Sequence, residues 1–332
     1  MNRLLLIVFA CGLSAPALCS SLEPDPAKLR LMSANALVFD AAAQRPIYAK
    51  AADEVTPIAS LTKLMTAMVV LDAAQPSDEL IAIQNEDFDF LKGSRSRLRM
   101  GTMLPRRELL RLALMSSENR AASALARHYP GGTPSFVASM NAKAAALQMT
   151  RTRYADPTGL SADNVSTAND LARLVQAAAT YPLIREFSTT PAHFVEVQPA
   201  GRWLTFNNSN ALVKNHAWDI QLQKTGYIRE AGRCLVMLTT IAERPFVIVL
   251  LDSNGKYTRL GDAQRVKRWL ETGEALAPPV SGGSLQRYHG SFPPRQRQTV
   301  RITFSPHATR GGVYAVKLTQ PKRQTKSSKH RV

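Results

Sequence analysis

From Pro57 to Leu71 the chain reads P-I-A-S-L-T-K-L-M-T-A-M-V-V-L, apolar residues and good helix formers with few polar positions among them. A segment of this kind is expected as a mostly buried helix, with the rest of the chain packed round it. Two of its polar residues, Ser60 and Lys63, stand three apart and therefore project from one face, one turn apart. An ammonium is thereby set beside a hydroxyl. Where such a face opens into a cleft, a lysine held neutral takes the serine proton and activates a weak nucleophile. The pair alone has little specificity, because a second S-x-x-K stands at Ser253-Asn254-Gly255-Lys256, where it reads as a turn between strands.

The segments around this helix follow a telling order. Residues 36–40 and 46–50 read as a hairpin, and the expected helix comes next. A short strand at 81–83 and a basic loop through Lys92-Gly93-Ser94-Arg95-Ser96-Arg97 lead into helical patterns at 105–114, 120–128, 134–149 and 167–180. The last of these opens on Thr167-Ala168-Asn169-Asp170, which resembles a capping box. Strand patterns then dominate at 193–197, 203–206, 221–227, 233–241 and 246–252, before a closing helix at 258–271. Sheet, helices, sheet, helix argues for an α+β domain: an antiparallel sheet that joins the first and last strands, flanked by helices, with a mostly helical insertion.

The ends of the chain read differently. Residues 1–20 carry Arg3, the apolar run Leu4 to Leu13 and small-residue cleavage options after Ala17, a secretory signal peptide pattern. A lipoprotein site at Cys19 is disfavoured by Leu18 before it. No later apolar run of about 18 residues follows, so export to the periplasm without a membrane span is expected. With 332 residues and 45% hydrophobic content, one domain of about 250 residues is expected over 21–277. Pro278-Pro279 and Ser281-Gly282-Gly283-Ser284 then open a linker and tail over 278–332, with strand-like patches at 300–304 and 313–318. The formal charge is +17, and residues 281–332 hold seven Arg and four Lys with no acid, so the basic character belongs mainly to the tail. Cys11 and Cys19 fall in or beside the signal segment, which leaves Cys234 in a strand as a small core residue with no internal disulfide.

Two further triplets carry chemistry. Lys224-Thr225-Gly226 lies in a strand pattern and is the chain's single K-T-G or K-S-G; Gly226 permits close backbone approach, while Lys224 and Thr225 offer a cation and a hydroxyl to a carboxylate. Serine-x-asparagine occurs at Ser33-Ala34-Asn35, Ser117-Glu118-Asn119 and Ser139-Met140-Asn141. Position selects Ser117 and Asn119, at a break between two helical patterns where a loop can aim both side chains into one cleft.

Together, Ser60-Leu61-Thr62-Lys63, Ser117-Glu118-Asn119 and Lys224-Thr225-Gly226 resemble the three motifs of the serine penicillin-recognising enzymes. Their surroundings, with Asp156-Pro157-Thr158-Gly159-Leu160 and Phe206-Asn207-Asn208-Ser209-Asn210, look like the D-alanyl-D-alanine carboxypeptidase and endopeptidase family of low-mass penicillin-binding proteins. The stretch from Gly93 to Gly132 is most similar to the murein DD-endopeptidase branch, the penicillin-binding protein 7 type. The resemblance runs from about Leu31 to Glu274. It implies a β-lactamase/transpeptidase-like fold and an exported serine peptidase that cuts D-alanyl bonds in peptidoglycan stem peptides, with D-Ala-diaminopimelate cross-links favoured over terminal D-alanine.

The same resemblance implies roles. Ser60 is the acylated nucleophile, Lys63 its base, Ser117 a proton relay and Asn119 an orienting group for the substrate amide. Lys224 and Thr225 receive a carboxylate beside Gly226, and the N–H groups of Ser60 and Tyr227 form the oxyanion hole. A cationic Lys224 near Lys63 is expected to favour the neutral base. The basic loop from Lys92 to Arg99 is expected to line the leaving-group side, where Arg95, Arg97 or Arg99 would engage peptide carboxylates. No Glu-x-x-Leu-Asn follows the second motif, so the deacylating glutamate of class A β-lactamases is missing and β-lactams are expected as covalent inhibitors.

Other classes fit less well. A Ser-His-Asp hydrolase lacks its G-x-S-x-G, and a zinc peptidase lacks H-E-x-x-H, so no metal or cofactor is implied. A non-catalytic peptidoglycan-binding module has no need of an intact Ser60, Lys63 and Lys224. The tail is expected to hold anionic wall or envelope polymers. Nucleic acid is the poorest partner, given export and the lack of interleaved aromatics.

Overall fold

The computed structural model describes residues 24–274 and 276–277. The signal segment expected over 1–20, the tail over 278–332 and its two strand patches lie outside the described residues. Strands β1 (Asn35–Asp40) and β2 (Arg45–Lys50) form the first hairpin, and a two-residue strand β3 (Thr56–Pro57) leads to helix α1 (Lys63–Asp72). Strands β4 (Leu80–Ala82) and β5 (Met103–Pro105) bracket the basic loop and pair with each other. Helices α2 (Arg106–Met115), α3 (Asn119–Arg127) and α4 (Gly132–Ala146) follow. Next come β6 (Val165–Ser166), which pairs with β3, and helices α5 (Ala168–Ala178) and α6 (Pro182–Thr189). A second hairpin, β7 (Ala192–Val197) and β8 (Arg202–Asn207), precedes three long strands, β9 (Asp219–Ile228), β10 (Gly232–Ile241) and β11 (Arg244–Ser253), and the closing helix α7 (Thr258–Thr272).

The sheet runs β2-β1-β11-β10-β9, and each pairing in it is antiparallel. Its first and last strands meet as the order of segments implies: Leu37 lies opposite Val249 and Phe39 opposite Val247. Strand alternation sends successive side chains to opposite faces. Leu37, Val236, Val247, Val249 and Leu251 join the core under the helices, whereas Ala36, Val38, Met237, Ile248 and Leu250 pack with Val266 and Trp269 of α7. Cys234 is buried and unpaired, and burial pushes its thiol up to about 12, as befits a core residue.

Helix α1 is buried from Lys63 through Val70, so it runs through the middle of the larger core. The expected helix over the Pro57–Leu71 stretch therefore starts later: Ala59–Thr62 is a 3-10 turn, and Ser60 stands just ahead of the α-helix. Helix α6 and the short strands β3, β5 and β6 went unread in sequence. Helix α6 is eight residues long with proline at its start, and the β3–β6 ladder has two pairs, too little for periodicity to register. No helix among the described residues is long and apolar enough to cross a membrane.

Candidate active site

Ala59 has a positive φ of 48°, and the 3-10 turn that follows brings Ser60 and Lys63 onto one edge. The Lys63 Nζ donates to Ser60 Oγ at 2.9 Å, to Asn119 Oδ1 at 2.6 Å and to the Thr158 carbonyl at 2.6 Å. Three N–H bonds thus meet three acceptors. Lys63 is fully buried, and burial brings its ammonium down to about 8, against the upward pull of Asp156, Glu118 and Asp89. A lysine near 8 is neutral in about one molecule in ten at pH 7, far more often than an ordinary lysine, and can then accept the Ser60 proton.

The Thr158 carbonyl is aimed by a turn built on one carboxylate. Asp156 Oδ1 accepts from Thr158 N at 2.5 Å, Thr158 Oγ1 at 2.6 Å and Gly159 N at 2.7 Å, and its Oδ2 accepts from Ser161 N at 2.7 Å. Gly159 sits at φ +80°, and a Cβ there would lie 2.0 Å from the Ala59 carbonyl oxygen, so the turn presses directly on the backbone before Ser60. Thr66 Oγ1 donates to the Pro157 carbonyl at 2.6 Å, and Asn164 Nδ2 donates to Thr62 Oγ1 at 3.0 Å. Helix α1 and the turn are therefore one hydrogen-bonded unit.

The second triplet spans the break between α2 and α3. Ser117 has φ +62°, an uncommon conformation for a residue with a Cβ. The Glu118 side chain caps α3 through Arg120 N, and Asn119 opens the helix. Burial raises the Glu118 carboxyl, while Ser96, the Arg120 N–H, and the charges of Lys63 and Arg120 oppose the rise. Asn119 Nδ2 donates to Ser94 Oγ at 2.9 Å, which turns the amide so that its Oδ1 faces Lys63. Among the described residues no hydrogen bond ties the Ser117 side chain to Ser60 or Lys63.

The third triplet arrives on β9, which packs against the turn before α1. A Cβ on Gly226 would lie 3.1 Å from Ser60 N, so the strand passes close beside that N–H. Thr225 Oγ1 donates to Ser209 Oγ at 2.7 Å, and Ser209 follows directly on β8. Lys224 is fully buried, and its Nζ donates to the Thr225 carbonyl at 2.9 Å. Burial, then the charges of Lys63 and Arg259, hold Lys224 well below the ordinary lysine value. The expectation that Lys224 lowers Lys63 needs correction in emphasis: burial leads for Lys63, and the mutual repulsion falls on Lys224. Arg259 of α7 donates to the Gly226 carbonyl at 3.0 Å from behind the strand. Tyr227 is 57% exposed, with the Arg233 guanidinium 4.5 Å from its ring centre.

The basic loop spans from the second triplet to the far end of β9. Asp89 accepts from the N–H groups of Leu91, Lys92 and Ser94, and Lys92 Nζ bridges to Glu230 Oε1 at 2.6 Å, beyond the end of β9. Arg97 donates to the Thr205 carbonyl of β8 and lies 5.9 Å from the Phe206 ring centre. Of the three arginines proposed for peptide carboxylates, Arg97 is therefore already engaged, and Arg95 and Arg99 remain exposed.

Ser60, Lys63 and Asn119 thus share one network, with Gly226 against the first turn and Thr225 beside Ser209. Sequence reasoning missed Ser94, the Thr158 carbonyl and Arg259 as parts of this cleft. Asp156 to Leu160 and Asn207 to Asn210 stood out as family-like stretches, which hinted at Thr158 and Ser209; Ser94 and Arg259 carried no local signal.

The family model described as D-alanyl-D-alanine carboxypeptidase matches residues 22–255. A protein named D-alanyl-D-alanine endopeptidase from Pseudomonas aeruginosa is 50% identical, over 86% of this chain and 94% of its own length. One of the same name from Escherichia coli is 46% identical, over 77% of this chain and 83% of its own. Among solved structures, a Streptomyces DD-transpeptidase is similar with a TM-score of 0.67 and 27% identity, over 71% of this chain and 96% of that one. A Listeria monocytogenes penicillin-binding protein in its cefotaxime-bound form gives a TM-score of 0.64 at 28% identity, over 72% of this chain and 96% of its own.

Proposed function

The chain belongs to the D-alanyl-D-alanine carboxypeptidase family, serine penicillin-binding DD-peptidases that act on peptidoglycan, and from that premise we propose that it is an endopeptidase working through an acyl-enzyme on Ser60. The observation that carries the reading is Lys63 Nζ, seated between Ser60 Oγ, Asn119 Oδ1 and the Thr158 carbonyl with its ammonium brought down to about 8. Neutral Lys63 takes the hydroxyl proton as Ser60 Oγ bonds to the carbonyl carbon of a D-alanine. The Ser60 and Tyr227 N–H groups face the developing oxyanion. The peptide C–N bond then breaks, and the proton passes to the departing amine, with Ser117 at hand beside the second helix break. Water attacks the ester, the acid leaves, and its proton returns to Ser60 Oγ.

Lys224 and Thr225 receive the substrate carboxylate. Burial and the nearby charges of Lys63 and Arg259 hold Lys224 well below the ordinary lysine value, and an arriving carboxylate pulls the other way and favours its ammonium. β-Lactams acylate Ser60 and stay, for want of the deacylating glutamate.

Cross-link cleavage is favoured over loss of terminal D-alanine by the names of the two relatives described above and by the exposed rim of the basic loop, with Arg95 and Arg99 exposed to meet a large leaving group. D-Ala-diaminopimelate dimers are expected to be cut faster than pentapeptides lose D-alanine, on matched purified substrates; a clear preference for the pentapeptide makes this a carboxypeptidase. Export through residues 1–20 and binding of anionic wall polymers by residues 281–332 complete the reading. Deleting the tail is expected to weaken binding to isolated walls at low salt.

A further inference from the structure

The β7–β8 hairpin presents two large rings that its own packing does not use. His193, Val195 and Val197 alternate with Phe194 and Glu196 along β7, and Val195, Val197 and Phe206 point into the core. Phe194 and Trp203 point the other way and are each 63% exposed. Register places Phe194 opposite Thr205 and Glu196 opposite Trp203, so the two rings sit as diagonal neighbours on one face, about 7–8 Å apart, with a carboxylate and a hydroxyl between them.

We propose that this face is a glycan subsite, which holds a sugar ring of the peptidoglycan strand to which the bound stem peptide is attached; the proposal rests on the peptidoglycan reading above. Continuity with the cleft is the first argument. β8 runs from Arg202 through Trp203 and Thr205 to Asn207, two residues before Ser209, whose Oγ accepts from Thr225, and Trp203 lies at most about 21 Å from Ser209 along an extended chain. From the other side, the loop that holds Asn119 through Ser94 reaches the Thr205 carbonyl through Arg97. A stem peptide held in the cleft brings its sugar to bear over this distance.

Chemistry is the second argument. A pyranose offers a face of C–H groups to an aromatic ring and hydroxyls to its edges, and the face pairs two rings with Glu196 and Thr205. Area argues against a protein partner or a second copy of this chain. Two aromatic side chains bury about 300–500 Å² between them. Specific protein interfaces bury about 1,200 Å² or more.

The test compares two cross-linked dimers with identical peptides, one carrying its disaccharides and one stripped of them. The wild-type enzyme is expected to cut the sugar-bearing dimer with about tenfold higher kcat/KM. In the Phe194→Ala/Trp203→Ala double variant that ratio should fall towards one, and Trp203→Phe should retain most of it. Equal rates in the wild type, or a preference that survives the double variant, overturns the subsite. Labelling by a fluorescent penicillin reports whether the variant is folded; should it fail, Phe194→Leu with Trp203→Leu carries the same measurement. A monomer–dimer equilibrium in sedimentation that the double variant abolishes assigns the face to a second copy and overturns the proposal too. Failure of the wild type to cut either dimer counts against the endopeptidase reading instead.

Discussion

The floor of the cleft and its rim are built on opposite principles. On the floor, Lys63, Thr158 and Lys224 are buried and Ser60 is half-buried, and their positions follow from hydrogen bonds that link Lys63 to the turn of Asp156 and from the close passage of β9. On the rim, the loop from Asp89 to Arg99 is held by the Asp89 carboxylate, the Lys92–Glu230 pair, the Asn119 amide on Ser94 and two guanidinium groups on carbonyls, and Phe90 and Leu91 are 78% and 70% exposed. A base whose proton affinity is set by burial needs the first environment. A surface that must admit a bulky leaving group needs the second. Damage to the floor should therefore stop chemistry, whereas damage to the rim should alter selection.

The largest effect is expected at the proposed nucleophile and its base. Ser60→Ala should remove covalent penicillin labelling and cut turnover by about four orders of magnitude or more. Lys63→Arg should do nearly as much, because a guanidinium cannot accept the proton, while Lys224→Arg keeps a cation for the carboxylate and should retain part of the activity. Mass spectrometry of the penicilloyl adduct checks all three; equal and complete loss at Lys63 and Lys224 would leave the two lysines without distinct roles.

Next comes the turn beneath them. Asp156→Ala removes the acceptor of four hydrogen bonds and should lower stability by about 2–3 kcal/mol, read as a fall in Tm, with a slower acylation rate. Should the acylation rate hold while Tm falls, the turn is structural support alone.

A third effect is one of pH. The base form of Lys63 is the deprotonated one, so acylation should be slow below its value of about 8 and rise to a plateau above it. Rapid-mixing kinetics with a neutral ester substrate, which leaves Lys224 aside, measures that limb. An acylation rate flat from pH 6 to 9 argues against Lys63 as the base.

The smallest effect belongs to the rim. Lys92→Ala breaks the pair with Glu230, both partners being about one-third exposed, and should shift stability by less than about 1 kcal/mol while penicillin labelling stays intact. The ratio of dimer to pentapeptide hydrolysis is the readout, and it should move more than either the Tm or the labelling rate. A labelling defect as large as that of Asp156→Ala would erase the distinction between floor and rim.

Sequence alone determined the architecture, because the physics involved is local and periodic. Short apolar runs at β1, β10 and β11 and the order of segments were enough to join the first and last strands into one antiparallel sheet. The largely apolar character of α1 put it at the centre, and three short motifs marked the cleft. Tertiary structure alone decided how those motifs meet. Ser94 lies 25 residues from Asn119, and Thr158 lies 95 residues from Lys63, so no window of sequence could pair them. Burial likewise depends on what other segments cover a residue. It brings Lys63 to about 8 and, with the charges of Lys63 and Arg259 nearby, holds Lys224 well below the ordinary lysine value. The motifs name the groups, but their proton affinities are properties of the fold, since they are set by desolvation and by charges brought close only when the chain is packed.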